Sequence, residues 1–392
     1  MAATSTCCNL IHGFAHNKLN GHHLHMYITY SKRCNLDYTR SRYNNGEIVF
    51  HNRIYTRQLF LLKPRNHPHR QQVSQSGFGE QVEEEEQESV SRETLIWRAI
   101  KLPIYSVALV PLTVGSAAAY FQTGMFSART YFVLLASSVL VITWLNLSND
   151  VYDFDTGADK NKKESVVNLL GSRNGTFVAA YLCIALGFIG LTWAALQARN
   201  MPSIMLLSCA IICGYIYQCP PFRLSYRGLG EPLCFAAFGP FATTAFYLLQ
   251  GSASAMSNLP LTRTVISVSI LVGLTTSMIL FCSHFHQIES DKEVGKMSPL
   301  VRLGTARGAE IVKVAVMALY ALLITFGLCK ALPLSSIFLC SLTLPIGNLV
   351  MRFVQENHKD KNKIFMAKYF CVRLHALFGA ALACGLVVAR VV

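Results

Sequence analysis

Residues 130–159 read TYFVLLASSVLVITWLNLSNDVYDFDTGAD. The stretch 130–148 holds no charged residue, and it is just long enough to cross a hydrocarbon core as a helix. The acids Asp150, Asp153, Asp155 and Asp159 then follow within a few residues. An apolar crossing that ends in a dense acidic cluster predicts a membrane helix delivering carboxylates to one membrane face. If the helix continues through Asp153, Asn149, Asp150 and Asp153 share one face by their i+3 and i+4 spacing. Like charges at that spacing repel by a few tenths of a kcal/mol. Burying carboxylates near lipid costs far more, on the order of 3 kcal/mol each near a span centre. A divalent cation removes that cost. Hard oxygen donors that leave room for water and substrate phosphate suit Mg²⁺. An EF-hand loop starting at Asp153 is excluded, because Gly157 falls at its fifth position rather than its sixth.

The same pattern recurs along the chain. Only 14% of the residues are charged and 52% are apolar, whereas a soluble domain carries roughly a quarter charged residues. Mean hydropathy is +0.35. Nine apolar stretches are long enough to span: 100–121, 130–148, 176–196, 203–219, 231–250, 265–285, 309–329, 331–351 and 368–389. The fold class expected is all-α, a polytopic bundle of about nine helices around a central cavity. With the N-terminus on side one, fifteen Lys or Arg fall in side-one loops and five on side two. That asymmetry orients helical membrane proteins with side one toward the cytosol-equivalent compartment.

A second acidic segment follows the sixth stretch: His284-Phe285-His286-Gln287-Ile288-Glu289-Ser290-Asp291-Lys292-Glu293-Val294-Gly295-Lys296. Glu289 and Asp291 are candidate ligands, while His284, His286, Gln287 and Lys296 are expected to line the substrate site. The two acidic segments end crossings four spans apart, so they lie on the same side. That resembles a parallel internal repeat whose halves face one another. A third constellation follows the fourth stretch. Its Tyr215, Tyr217, Arg223 and Arg227 suit bidentate phosphate contact and π contact with a cation. The same residues also satisfy the positive-inside bias and an interfacial aromatic belt. Lys160 and Lys163, just past the first acidic motif, either hold a diphosphate or set topology.

Residues 1–75 contain ten Lys or Arg and eight His against two acids, with no continuous apolar core. This reads as an organelle transit peptide. Residues 76–95 read as an acidic linker around the run Glu83–Glu86, and 96–392 as the membrane domain. The formal charge of +14 is thereby assigned to targeting and orientation, and no aromatic–basic module for nucleic acid is present. The thirteen cysteines form no CxxC pair, which excludes a zinc site and a disulfide framework.

The pair NDVYDFDTGAD and HFHQIESDKEVGK on a nine-span body resembles the UbiA superfamily of intramembrane aromatic prenyltransferases. The stretches KESVVNLLGSRNGT, YQCPPFRLSYRGLGEPLCFAAFGPFATTAFYLL and KIFMAKYFCVRLHALFGAA look like its branch that prenylates 1,4-dihydroxy-2-naphthoate, and within it like the plastid members. The resemblance implies a helical bundle with a cavity open sideways to lipid, Mg²⁺ as cofactor and a prenyl (phytyl) diphosphate as donor. It also implies a naphthoate or naphthoquinone acceptor, and a chloroplast membrane with the active site on the stromal side. It maps metal contact onto Asn149, Asp150 and Asp153, with Asp155 or Asp159 replacing a later acid that is Gly157 here. The second family motif reads D-x-x-x-D-x-x-x-G. Here Gln287 stands at the first acid, Asp291 keeps the second, and Glu289 is the compensating candidate.

The expected chemistry is ionisation of the allylic C–O bond. The residues expected to carry it are Asp150, Asp153, Asp291, Arg223 and Lys163. Tyr152, Tyr215 and Tyr217 offer aromatic faces to the carbocation, and Lys160 and Arg227 contact the substrate. Two alternatives stay open: a related enzyme with homogentisate or chlorophyllide as acceptor, and a membrane transporter. Transporter acids sit near the midplane, often in inverted repeats, whereas these sit at span ends in parallel.

Overall fold

The apolar stretches fold as their length dictates. The computed structural model describes residues 101–157, 165–251 and 259–392, and every regular element in it is helical. The transit peptide, the acidic linker, and Asp159, Lys160 and Lys163 lie outside the described residues. Eight helices are long and apolar enough to cross a membrane: Pro103–Thr123, Ala128–Thr156, Arg173–Gln197, Met201–Gln218, Gly230–Gly251, Arg263–His286, Pro299–Leu328 and Lys361–Val391. Between the last two, Leu334–Ser341 and Leu344–Asn357 form a pair bent by 44° at a short break, together long and apolar enough for a ninth. Counted in chain order these are spans one to nine. Spans two, four, six and eight end on the face where spans three, five, seven and nine begin.

Local chemistry explains where the helices depart from the apolar stretches. Span two starts at Ser127, whose side chain accepts from the Thr130 N–H, and ends at Gly157 with φ 81. Its 29 residues therefore carry the first acidic motif in the same helix as the crossing. Span seven begins ten residues before its apolar part. Pro299 opens it, where a missing N–H costs nothing, and the turn at Gly304 (φ 79) kinks it. Span eight breaks where Pro345 starts a second helix rather than continuing the first. In span five Pro240 sits in a π-helical stretch, Ala237–Thr243, that accommodates its missing donor.

Span six is the central element, with 72% of its most apolar window buried, against 22% for spans three, four and seven. Spans one, five, seven and nine pack on it. Leu271, Leu319, Leu374 and Phe378 are all but inaccessible there. On the outside Leu186, Met205 and Phe338 are exposed, as suits side chains solvated by lipid. Spans five and six touch backbone to backbone: a Cβ on Gly239 would lie 2.6 Å from the Ser269 carbonyl oxygen. Close approach through small residues is the usual means of helix association in a bilayer, and it sets the start of span five against the end of span six.

Candidate active site

The first acidic motif splits into three environments, although its residues lie on one helix. Asn149 Nδ2 donates to Asp153 Oδ2 at 2.8 Å, one helical turn apart. Asp150 is fully buried. Its Oδ1 accepts from Lys101 Nζ at 3.0 Å and its Oδ2 from the Val166 N–H at 3.0 Å. Asp155 lies on the opposite face, where Arg173 holds it with two hydrogen bonds of 2.6 and 3.1 Å in an exposed setting. Asn149 and Asp153 thus share one face, while Asp150 turns to Lys101. Asp155 is not brought into the group.

In the second motif the short helix Ile288–Glu293 carries Asp291 inward and Glu289 outward. Asp291 is 6% exposed. Its Oδ1 pairs with Lys296 Nζ at 3.2 Å, and its Oδ2 is buried with no hydrogen-bond donor among the described residues. Glu289 is exposed and pairs with Lys361 at the start of span nine. That ammonium holds its carboxyl below the ordinary glutamate value. Glu289 thus faces water rather than Asp291, contrary to its expected part as a compensating ligand. His286 stacks edge-on with Phe365 at 4.9 Å, beside the start of span nine.

The loop after span four ties the two motifs together. Arg223 opens its turn with φ 42. The Arg223 guanidinium lies 5.9 Å from the Tyr152 ring and 5.8 Å from the Tyr226 ring, within cation–π range. Tyr226 Oη donates to Thr156 Oγ1 at 3.2 Å, which fixes the loop to the end of span two. On the other side the Met297 N–H donates to the Tyr226 carbonyl at 2.9 Å, and Arg302 Nη2 to the Arg227 carbonyl at 2.7 Å. Gly228, with φ 73, sits at this seam, and a Cβ there would fall 2.9 Å from the Met297 carbonyl oxygen.

Tyr217, on the last turn of span four, sets its ring against the start of span five, where a Cβ on Gly230 would fall 2.9 Å from its Cε2. The Tyr226 contacts with Thr156 and Met297 bring the ends of both acidic motifs to one locality. Tyr215 is two residues earlier, on the other side of the helix. It is exposed and its hydroxyl bonds the Pro220 carbonyl at 3.3 Å, so it does not join Tyr217. The Arg227 side chain is likewise exposed. His284 is buried, and its Nδ1 donates to Glu231 Oε1 at 3.1 Å.

Lys101, Glu231, Tyr226 and Arg302 were not among the residues expected from sequence. Two of them carry a visible signal: Lys101 is the one charged residue of the stretch 100–121, and Glu231 is the one acid in the first turn of span five. Their partners are 49 and 53 residues away, beyond any local pattern.

Among the described residues no three His, Cys, Asp or Glu side chains are grouped closely enough to hold a metal by themselves. Asn149, Asp153 and Asp291 are instead hard oxygen donors, one with an orphaned buried oxygen. Mg²⁺ is commonly bound through one or two carboxylates and completed by water and substrate phosphates, and this donor set fits that use.

The sequence pattern described as the UbiA prenyltransferase family matches residues 108–374. The chain belongs to the UbiA prenyltransferase family. It is a membrane prenyltransferase of all-helical fold. Among UbiA relatives, the chain is 63% identical over 334 residues to the chloroplastic 2-carboxy-1,4-naphthoquinone phytyltransferase of Arabidopsis thaliana, covering 85% of this chain and 87% of that one. It is 40% identical to the 2-carboxy-1,4-naphthoquinone phytyltransferase of Synechocystis, covering 73% and 91%. In fold it resembles an apo UbiA homolog from Aeropyrum pernix K1, with TM-score 0.53 and 15% identity over 72% of this chain and 97% of that one.

Proposed function

We propose that this chain transfers a phytyl group from phytyl diphosphate to 1,4-dihydroxy-2-naphthoate, or its quinone form, with loss of the carboxylate as CO₂. The reaction is Mg²⁺-dependent and runs at the stromal face of a chloroplast membrane. The carrying observation is the 63% identity to the Arabidopsis phytyltransferase. A match over 85% of 392 residues necessarily spans both acidic motifs and the loop between them.

The geometry supports distinct roles for the side chains. Asn149, Asp153 and Asp291 would hold the cation. When bound, Mg²⁺ supplies positive charge to the diphosphate oxygens and so makes diphosphate a better leaving group. Lys296 stands beside Asp291 and Arg223 beside the Tyr152 ring, and both can take diphosphate oxygens. Lys160 and Lys163 are proposed for the same task. The allylic C–O bond breaks with its electron pair leaving on diphosphate. Tyr152 and Tyr217 then offer π faces to the carbocation. Burial of a C20 tail, at about 0.8 kcal/mol per CH₂, favours an opening toward lipid.

The test uses membranes containing the full chain, phytyl diphosphate and acceptors labelled in the carboxylate. The expected result is prenylation of the naphthoate with equimolar release of labelled CO₂, abolished by EDTA and restored by Mg²⁺. Prenylation of homogentisate or chlorophyllide in its place, or turnover indifferent to EDTA, overturns the reading.

A further inference from the structure

The Glu231–His284 pair has no part in diphosphate chemistry as described, yet it is built into the same locality. Glu231 lies in the first turn of span five, and Ser277 Oγ on span six donates to its backbone carbonyl at 3.2 Å. Its side chain is 14% exposed and that of His284 3%. His284 Nδ1 occupies Oε1. Oε2 is buried and accepts no hydrogen bond from the described residues. A buried carboxylate oxygen without a donor is costly, and a second oxygen fixed by histidine gives the free one a defined direction. Gly230, the neighbour of Glu231, packs on the Tyr217 ring, where a Cβ would fall 2.9 Å from Tyr217 Cε2, and His284 directly precedes the second acidic motif, so Glu231 stands beside that motif rather than within it. The other titratable or charged groups on the elements packed around it are Cys209, Cys213, Tyr215, Arg223, Tyr226, Arg227, Cys234, Arg263, Cys282 and His286. Among the described residues its one ion-pair partner is His284.

We propose that Glu231 is the general base for the aromatic acceptor and that His284 is its positioning residue. This rests on the naphthoate reading above. The proton and electrons balance as follows for the hydroquinone form. The ring carbon bearing the carboxylate gives its π pair to the allylic carbon. The O–H pair of the adjacent hydroxyl stays on oxygen and forms C=O, and the proton passes to Glu231 Oε2. Loss of CO₂ returns the C–C pair to the ring, and the ring oxygen recovers the proton from Glu231. Diphosphate and CO₂ leave, and no oxidant or net proton is consumed.

The experiment is the pH–rate profile of wild-type, Glu231→Gln and His284→Asn membranes with phytyl diphosphate and the dihydroxynaphthoate. Glu231→Gln should lower kcat by about 10²-fold near neutrality. Its rate should then climb with pH toward the acceptor's own hydroxyl ionisation, while KM for phytyl diphosphate stays within twofold of wild type. A loss of equal size at every pH, or a rise in that KM, overturns the base role. If Glu231→Gln does not accumulate, His284→Asn is read instead. It should shift the acid limb of the profile, and an unshifted limb overturns the proposal. Wild-type membranes that do not turn over the naphthoate overturn the functional reading itself. Wild-type turnover with a pH-parallel loss in the variant overturns only the base.

Discussion

Replacing Lys101 by Met should destabilise the protein through its bond to Asp150. Lys101 Nζ donates to Asp150 Oδ1 at 3.0 Å, and Asp150 is fully buried while the Lys101 side chain is 25% exposed. The variant removes that ammonium and keeps the Val166 N–H on the other oxygen. Removing one partner of a fully buried pair costs about 3–5 kcal/mol. Partial exposure of the lysine screens the interaction, so about 2–3 kcal/mol is expected. That is roughly a 30- to 150-fold shift in the folded-to-unfolded ratio. The double variant Lys101→Met/Asp150→Asn removes both charges and keeps an oxygen for the Val166 N–H, so it should recover most of the loss. The assay is thermal unfolding in detergent of wild type, both single variants and the double variant. A Lys101→Met protein as stable as wild type refutes the reasoning. So does a double variant no better than Lys101→Met, because the penalty would then not lie in the loss of the Lys101–Asp150 charge pair.

Asp153→Asn and Asp291→Asn should each lower phytyl transfer by about 10²-fold or more, with a higher Mg²⁺ requirement and little change in unfolding temperature; wild-type turnover in both refutes the metal assignment. Glu289→Gln should leave turnover nearly unchanged, since its carboxylate is exposed and paired with Lys361. The lysine holds the Glu289 carboxyl below 4.5, so the pair's contribution to stability is complete above pH 4.5 and fades as pH falls through the lower folded value. Wild type and variant should therefore differ most near neutrality and converge in acid; a gap that widens on acidification contradicts this. Mg²⁺ and pyrophosphate should strengthen each other's binding by at least about tenfold, read as unfolding-temperature shifts; a shift by either alone equal to that of both together refutes it.

Much of the bundle is legible in the sequence because a bilayer imposes length and continuity. A span must be apolar over about 20 residues, and the stretches at 130–148 and 265–285 show that without any partner. The exceptions are chemically specific. Span seven extends back to Pro299 through Arg302 and Arg307, which hydropathy scores as loop but which can form helix at the interface. Within the acidic motifs, spacing identifies Asn149 with Asp153, since i+4 contact is local. It does not identify which carboxylates turn inward. Asp150 is taken by Lys101 and Asp155 by Arg173, and those choices depend on span one and span three packing beside span two. Glu231 is the clearest case. Its meaning comes from His284, 53 residues later, and no periodicity links them.

The pairing of the acids also separates their roles. Asp155 and Glu289 are exposed with exposed bases, so solvent already compensates them and their loss changes little. Asp150 is buried with both oxygens held by the protein. Asp291 is buried with one oxygen on Lys296 and the other on no described donor. Lys296 is itself only 14% exposed. A cation arriving alone at Asp291 would compete with Lys296 and strand a nearly buried ammonium. A diphosphate arriving alone would draw Lys296 and strand the carboxylate. Either unpaired state carries the cost of an uncompensated buried charge. Arriving together, they exchange one ion pair for two compensated ones. The electrostatics of this single pair therefore favours joint binding of metal and diphosphate, and it makes Asp291 the carboxylate best placed to change partners.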